Sequence, residues 1–301
     1  MSVPATVPTA QPSPSGPEPN QRAIRLKRAW RRFSLNRGAV LGAVILVLFV
    51  LTAILAPWLA PYSPTEQALA SRLSPPSGAH WLGTDDLGRD LLSRLIFGTQ
   101  VSLRVGVIAV ALALVGGTAL GLLAGYRGGR TDEVVMRGLD VLLAFPSILL
   151  AILVVAVLGP SLENAIVAIA IVNIPVYARL VRAAVMSLKH QEFIEASRAS
   201  GAGHGRIVWH HIVPNCLTPI TVQATLGIGT AILETAGLSF LGLGAQPPTP
   251  EWGTMLNDAR PYIRDAWWII TFPGVAIIVT VLGFNLLGDG LRDMLDPKGR
   301  R

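Results

Sequence analysis

The segment Gly83-Thr84-Asp85-Asp86-Leu87-Gly88-Arg89-Asp90 has the glycine spacing of a phosphate-binding loop. Such a loop cradles phosphate on backbone N–H groups and reaches phosphate and magnesium with Lys and Ser/Thr. Arg89 and Asp90 stand at those two positions, and no other segment carries Gly-x4-Gly-Lys-Ser/Thr. The chain is therefore expected not to hydrolyse ATP and to hold no cofactor of its own. His80 with Asp85, Asp86 and Asp90 offers ligands that suit a hard cation. Acidic turns of this kind are ordinarily solvated helix caps, so no metal site is expected. Ser239 fails as a nucleophile because Leu241 stands where the second glycine of a Gly-x-Ser-x-Gly elbow belongs. None of His80, His190, His204, His210 and His211 lies in an apolar run where it could serve as the base. No catalytic residue is expected.

Glu234 is the one carboxylate deep in an apolar run, in the outer half of its span. A charge in lipid is costly enough that such a residue is a translocation or gating candidate by default. A hydrogen bond or ion pair between helices is preferred over substrate contact as its role. Gly117, Gly121 and Gly125 form a smooth stripe that suits close helix packing, within the chain or on a second subunit. The most informative polar stretch is 191–203. Phe193, Ala196, Ser197 and Ser200 share one helical face, an aromatic followed by small residues, suited to a groove on a partner. Gly201 can end that helix in the left-handed conformation, and Glu195 is expected to add a polar contact or a cap. An ordinary surface connector between spans is the alternative.

These residues need elements to position them, and composition fixes the setting. The 301 residues are 51% hydrophobic and 14% charged, with a mean hydropathy of +0.52. A soluble globule carries about 25% charged residues, so the chain reads as an integral membrane protein. Apolar runs at 38–56, 105–126, 141–159, 165–180, 218–241 and 267–287 predict six membrane-spanning helices. Pro146 and Pro175 are expected as kinks inside the third and fourth. Residues 1–20 are Pro-rich without apolar periodicity and read as a disordered tail. In 21–37, Leu26, Trp30 and Phe33 recur at helical spacing among seven basic residues, predicting an amphipathic helix on an anionic leaflet. With the N-terminus inside, nineteen of the 25 Lys and Arg fall inside and six outside. That bias chooses cytoplasmic N- and C-termini. It explains the pI of about 10.3 without nucleic acid. Trp58, Trp81, Trp252, Trp267 and Trp268 then form an outer aromatic belt. A lone cysteine, Cys216, allows no internal disulfide and reads as a buried apolar group.

The run Glu195-Ala196-Ser197, Gly201, Val213-Pro214 resembles the Glu-Ala-Ala…Gly…Ile-x-Leu-Pro loop of ABC importer membrane subunits. Ser197 replaces the second Ala and His211 the Ile, as is usual in the peptide subgroup. The segments 82–94, 238–242, 246–253 and 288–293 are similar to the C-type permease of dipeptide/oligopeptide/nickel importers, dipeptide permeases being the closest members. The resemblance implies an all-α, six-helix, type I ABC importer permease-like fold in a bacterial or archaeal cytoplasmic membrane. It implies a heterodimer with a second homologous permease, two cytoplasmic ATPase subunits that carry ATP and magnesium, and an external solute-binding protein. The helix bearing Phe193, Glu195, Ala196, Ser197, Ser200 and Gly201 would couple to an ATPase. The expected organisation is a tail (1–20), an interfacial helix (21–37), a permease domain (38–290) with a coupling helix near 192–203, and a cytoplasmic tail (291–301). Nickel or glutathione permeases of the same family are alternatives. A proton-coupled secondary transporter is disfavoured because it would want several deep ionisable residues and repeat symmetry.

Overall fold

The computed structural model describes residue 31 and residues 33–295. The tail at 1–20, most of the helix expected at 21–37 and residues 296–301 lie outside this range. Within hydrocarbon an apolar run satisfies its backbone as a helix, and each long apolar run here is helical. The first, α1 (Arg37–Leu59), begins at Asn36, whose side chain accepts from the Ala39 amide at 3.1 Å. Next, α2 (Leu91–Arg127) begins at Asp90, which accepts from the Ser93 amide at 2.8 Å. The helices α3 (Gly129–Leu143), α4 (Ser147–Leu158), α5 (Leu162–Leu188) and α6 (Glu192–Ala199) follow. A short α7 (His204–Ile207) runs through a π-helical turn (Val208–Ile212) into α8 (Val213–Phe240). Lastly, α9 (Trp252–Ala259) precedes α10 (Trp268–Leu295). The C-terminal tail expected from residue 291 is thus still helical to Leu295.

The glycine stripe packs within the chain. A β-carbon on Gly121 would sit 2.5 Å from the Ala178 carbonyl oxygen, and one on Gly125 2.9 Å from Val185 Cβ. Gly117 similarly meets Tyr177 and Ile174. These contacts advance in the same direction along both helices, so α2 and α5 run parallel. The α3–α4 segment between them must therefore carry the chain back across the bundle. With α1, α2, α5, α7–α8 and α10, each long and apolar enough to span, that makes six crossings among the described residues.

The third crossing departs from expectation. It is not one kinked helix at 141–159, because α3 and α4 are bent by 90° at residues 144–146. Proline disfavours helical backbone at the residue before it, here Phe145, and the helix restarts at Ser147 with Pro146 as its N-cap. Pro175, by contrast, is accommodated inside α5.

Asn36 Nδ2 donates to Asp293 Oδ2 at 3.1 Å, so the start of α1 and the end of α10 share one end of the bundle. By the path just traced, α6 lies at this terminal end as well. Segment 60–90 and α9 lie at the opposite end. There the expected aromatic belt needs correction. Trp58, Trp81 and Trp267 are exposed, but Trp252 and Trp268 are buried, 0% and 6% exposed. Their indole N–H groups donate to the Leu95 and Thr84 carbonyls, each at 3.2 Å, so these rings hold segments together.

Candidate functional site

At the terminal end, α6 is a two-turn helix seated by one residue. Ile194 is fully buried among Val181 and Val185 of α5, Ile207 of α7 and Ile212, Cys216 and Ile220. Gly201 has φ +80°. Its amide donates to the Arg198 carbonyl at 2.9 Å, and the Ala202 amide donates to the Ser197 carbonyl at 3.1 Å. That pair of bonds closes the helix in a Schellman motif, the left-handed ending expected of Gly201. A β-carbon on Gly201 would meet nothing within 4 Å, so the glycine serves backbone conformation and no contact inside the chain.

The expected docking face divides in two. Ala196 and Ser200 are exposed, as are Glu195 and Phe193. Ser197 is half-buried, with Oγ 3.4 Å from His211 Nε2, and the Phe193 ring lies 6.2 Å from that of His211. The π-helical turn carrying His211 therefore backs α6 on one side. Glu195, expected to add a polar contact or a cap, follows an N-cap residue, Gln191, whose side chain makes no capping bond. The Glu195 carboxylate sits in the first turn, where the helix dipole favours it. Beside α6, a cleft of about 550 Å³ is lined by Tyr126, Arg127, His204, Gly205, Val208 and Trp209. Tyr126 Oη and His204 Nδ1 lie 2.8 Å apart across it.

In the membrane interior, Asn173 Nδ2 of α5 donates to Glu234 Oε2 of α8 at 3.1 Å, the interhelical hydrogen bond expected for Glu234. Ser239 is buried beneath the close approach of Gly244.

At the opposite end, the acidic loop supplies the Asp90 cap of α2 but is buried and not solvated. Asp85, Arg89, Asp90 and Arg94 are all buried. Asp85 Oδ2 lies 2.6 Å from Arg89 Nε and 3.3 Å from Arg94 Nε. Arg89 also faces Asp86 and Asp258, at 3.6 and 3.8 Å. Arg94 donates to the Pro64 carbonyl at 3.1 Å and the Pro248 carbonyl at 3.5 Å. One ionic cluster thus ties together 60–90, α2, the 246–250 turn and α9. His80 Nδ1 lies 2.9 Å from Asp90 Oδ1, and Asp90 also accepts from Ser93. Among the described residues, no group of three or more His, Cys, Asp or Glu side chains is arranged to hold a metal ion.

Burial pushes the Asp86 carboxyl above its ordinary range, helped by the neighbouring Asp85 and opposed by Arg89. Burial does the same to Asp258, helped by Asp86. It also raises Glu251, the N-cap of α9, against the Gly253 and Thr254 amides that stabilise its anion.

Sequence reasoning missed Ile194, although an isoleucine inside a polar, small-residue helix was a legible anchor. It also missed Arg94 and Asp258 as partners of the acidic loop. No local pattern could have paired residues so far apart in the chain.

Residues 117–301 match the family model described as binding-protein-dependent transport system inner membrane component. Residues 25–76 match the N-terminal TM domain of oligopeptide transport permease C. The chain is 53% identical over 294 residues to the dipeptide transport system permease protein DppC of Alkalihalophilus pseudofirmus, covering 97% of each chain. It is 49% identical over 304 residues to the di/tripeptide transport system permease protein DppC of Pseudomonas aeruginosa, covering 99% of this chain and 98% of that one. A solved inward-facing structure of the MetNI methionine ABC transporter shares its fold, with a TM-score of 0.58 and 21% identity over 68% of this chain and 98% of the other.

Proposed function

Because this chain belongs to the binding-protein-dependent transport system inner membrane family, we propose that it is the permease subunit of an ATP-driven importer for dipeptides and short oligopeptides. It forms half of the translocation pathway, in a heterodimer with a second, homologous permease. It is not itself the enzyme: two ATPase subunits bind ATP and magnesium on the cytoplasmic side, and an external solute-binding protein delivers the peptide. The terminal end of the bundle faces the cytoplasm, as the excess of Lys and Arg there supports. Dipeptide and di/tripeptide relatives at 53% and 49% identity cover 97% and 99% of this chain, against 89% for a glutathione permease at 49% identity, and that fuller coverage favours the peptide class.

The observation that carries the mechanism is α6. It is held to the membrane core by Ile194 and closed by Gly201, and it turns Phe193, Glu195, Ala196 and Ser200 outward. A short helix fixed rigidly to α5 and α8 can transmit a push from an ATPase cleft into both spans. ATP binds the closed ATPase pair better than the open one, and that differential affinity drives the membrane helices between inward- and outward-open states. The test is a photo-crosslinking residue at Ala196 in the assembled complex. Capture of an ATPase subunit, with a yield that changes on adding ATP, is the expected result. Capture of lipid or of the partner permease alone would reject the coupling role.

A further inference from the structure

Thr230, Glu234 and Gly237 lie on one face of α8, at i, i+4 and i+7, and the described residues cover that face only in part. Thr230 is exposed and Glu234 half-buried. Leu233 beside them is 53% exposed, and Val176 of α5 is 41% exposed. The α3–α4 break adjoins the same face: a β-carbon on Gly237 would lie 3.9 Å from Ile148 Cδ1, and Phe145 at the break is 50% exposed. Lipid is a poor cover for such a surface. Non-helical backbone at membrane depth is tolerated where it is buried in protein or lines water, and a carboxyl against acyl chains is costly. Asn173 meets only Oε2 of Glu234, and Oε1 has no partner among the described residues.

We propose that this face, with Asn173, Thr230, Glu234 and the break at 144–146, is a water-lined stretch of the translocation pathway, and that Glu234 receives the α-ammonium group of the passing peptide. The assignment rests on the peptide-import reading. Every unmodified peptide carries that ammonium whatever its side chains, so a single carboxylate recognises the class without choosing a sequence. Asn173 holds one carboxylate oxygen in place and leaves the other for the substrate. One charge-assisted contact is also weak enough to release the peptide, as a conducting site requires.

The test uses the assembled importer in proteoliposomes, with Cys216→Ala removing the native thiol and Thr230→Cys introducing one. Modification rates are compared for a cationic and an anionic water-soluble methanethiosulfonate, each normalised to its rate with a free thiol. A carboxylate one helical turn away should favour the cation by about tenfold, and adding Glu234→Gln should abolish the preference. With the native Thr230, Glu234→Gln should lower subsaturating Ala-Ala uptake by about tenfold, the loss of one charge-assisted bond, while ATP hydrolysis continues and Glu234→Asp restores part of the uptake. No reaction with either reagent would mean that the partner permease or lipid covers this face. Equal rates, or wild-type uptake in Glu234→Gln, would overturn the ammonium role. If the Thr230→Cys complex reacts as expected yet the complex with native Thr230 and Glu234 takes up no peptide, the peptide reading falls, and the ammonium assignment with it, while the water-lined pathway stands.

Discussion

At φ +80°, Gly201 occupies backbone that a residue with a β-carbon enters at a cost of about 1–2 kcal/mol. A β-carbon there meets nothing within 4 Å, so inside the chain that cost hardly depends on side-chain size. Gly201→Ala and Gly201→Trp therefore share one local penalty, which shifts the balance between the closed and frayed α6 end by about 5- to 30-fold. They differ in what the indole meets beyond the β-carbon. If α6 sits in an ATPase cleft, Gly201→Trp should abolish recovery of the ATPase subunits, peptide-stimulated ATP hydrolysis and transport. Gly201→Ala should keep a reduced fraction of each, and Gly201→Asn, which tolerates left-handed backbone, should approach wild type. The assay is affinity purification through this chain from membranes, with the ATPase-to-permease ratio and uptake read together and chain level as the control for insertion. Wild-type recovery and transport in Gly201→Trp would show α6 to be a surface connector. Equal damage in Gly201→Ala and Gly201→Trp would show that backbone closure matters and bulk does not.

Ile194→Ala removes the one buried anchor of α6 and should cost about 2–5 kcal/mol locally, releasing the helix to protease and losing the ATPase subunits, with Ile194→Val much milder. Glu195→Ala loses a first-turn charge worth about 0.3–1 kcal/mol and should reduce ATPase recovery only slightly. Arg94→Leu leaves Asp85 buried with one fewer counter-charge and should destabilise the detergent-purified complex by about 3–5 kcal/mol, read as a lowered Tm. Glu251, Asp86 and Asp258 are all raised, so the folded state holds their protons more tightly than the unfolded chain. Their contribution to stability is then greatest at low pH and declines as pH rises from the ordinary carboxylate range through the raised values. Glu251→Gln, which keeps the cap geometry, should flatten the dependence of Tm on pH, and an unchanged slope would contradict the assignment to Glu251.

The spans were legible because lipid imposes one rule on every apolar run, and the resulting helices differ from expectation mainly in length. The Gly201 helix end was equally legible, since left-handed closure is a local property of a glycine after good helix formers. The bend at 144–146 was not, because a membrane proline permits either a kink, as at Pro175, or a restart, as at Pro146, and neighbouring helices decide between them. Trp252 and Trp268 were misplaced for a similar reason: a tryptophan near a span end suits a belt or a buried hydrogen bond, and the acceptors that decide lie on Leu95 and Thr84. The acidic loop was misread as solvated because Arg94 and Asp258 reach it only in three dimensions. The same limit applies to Glu234, whose partner Asn173 lies on a different span.

ATP-driven import of peptide through this subunit is measured as accumulation of a radiolabelled dipeptide in proteoliposomes containing this chain, the second permease, the two ATPases and the loaded binding protein. Uptake should require hydrolysable ATP on the side of α6, stop with a non-hydrolysable analogue, and be unaffected by collapsing a proton gradient. Accumulation driven by that gradient without nucleotide, or uptake of nickel or glutathione in place of the dipeptide, would contradict it.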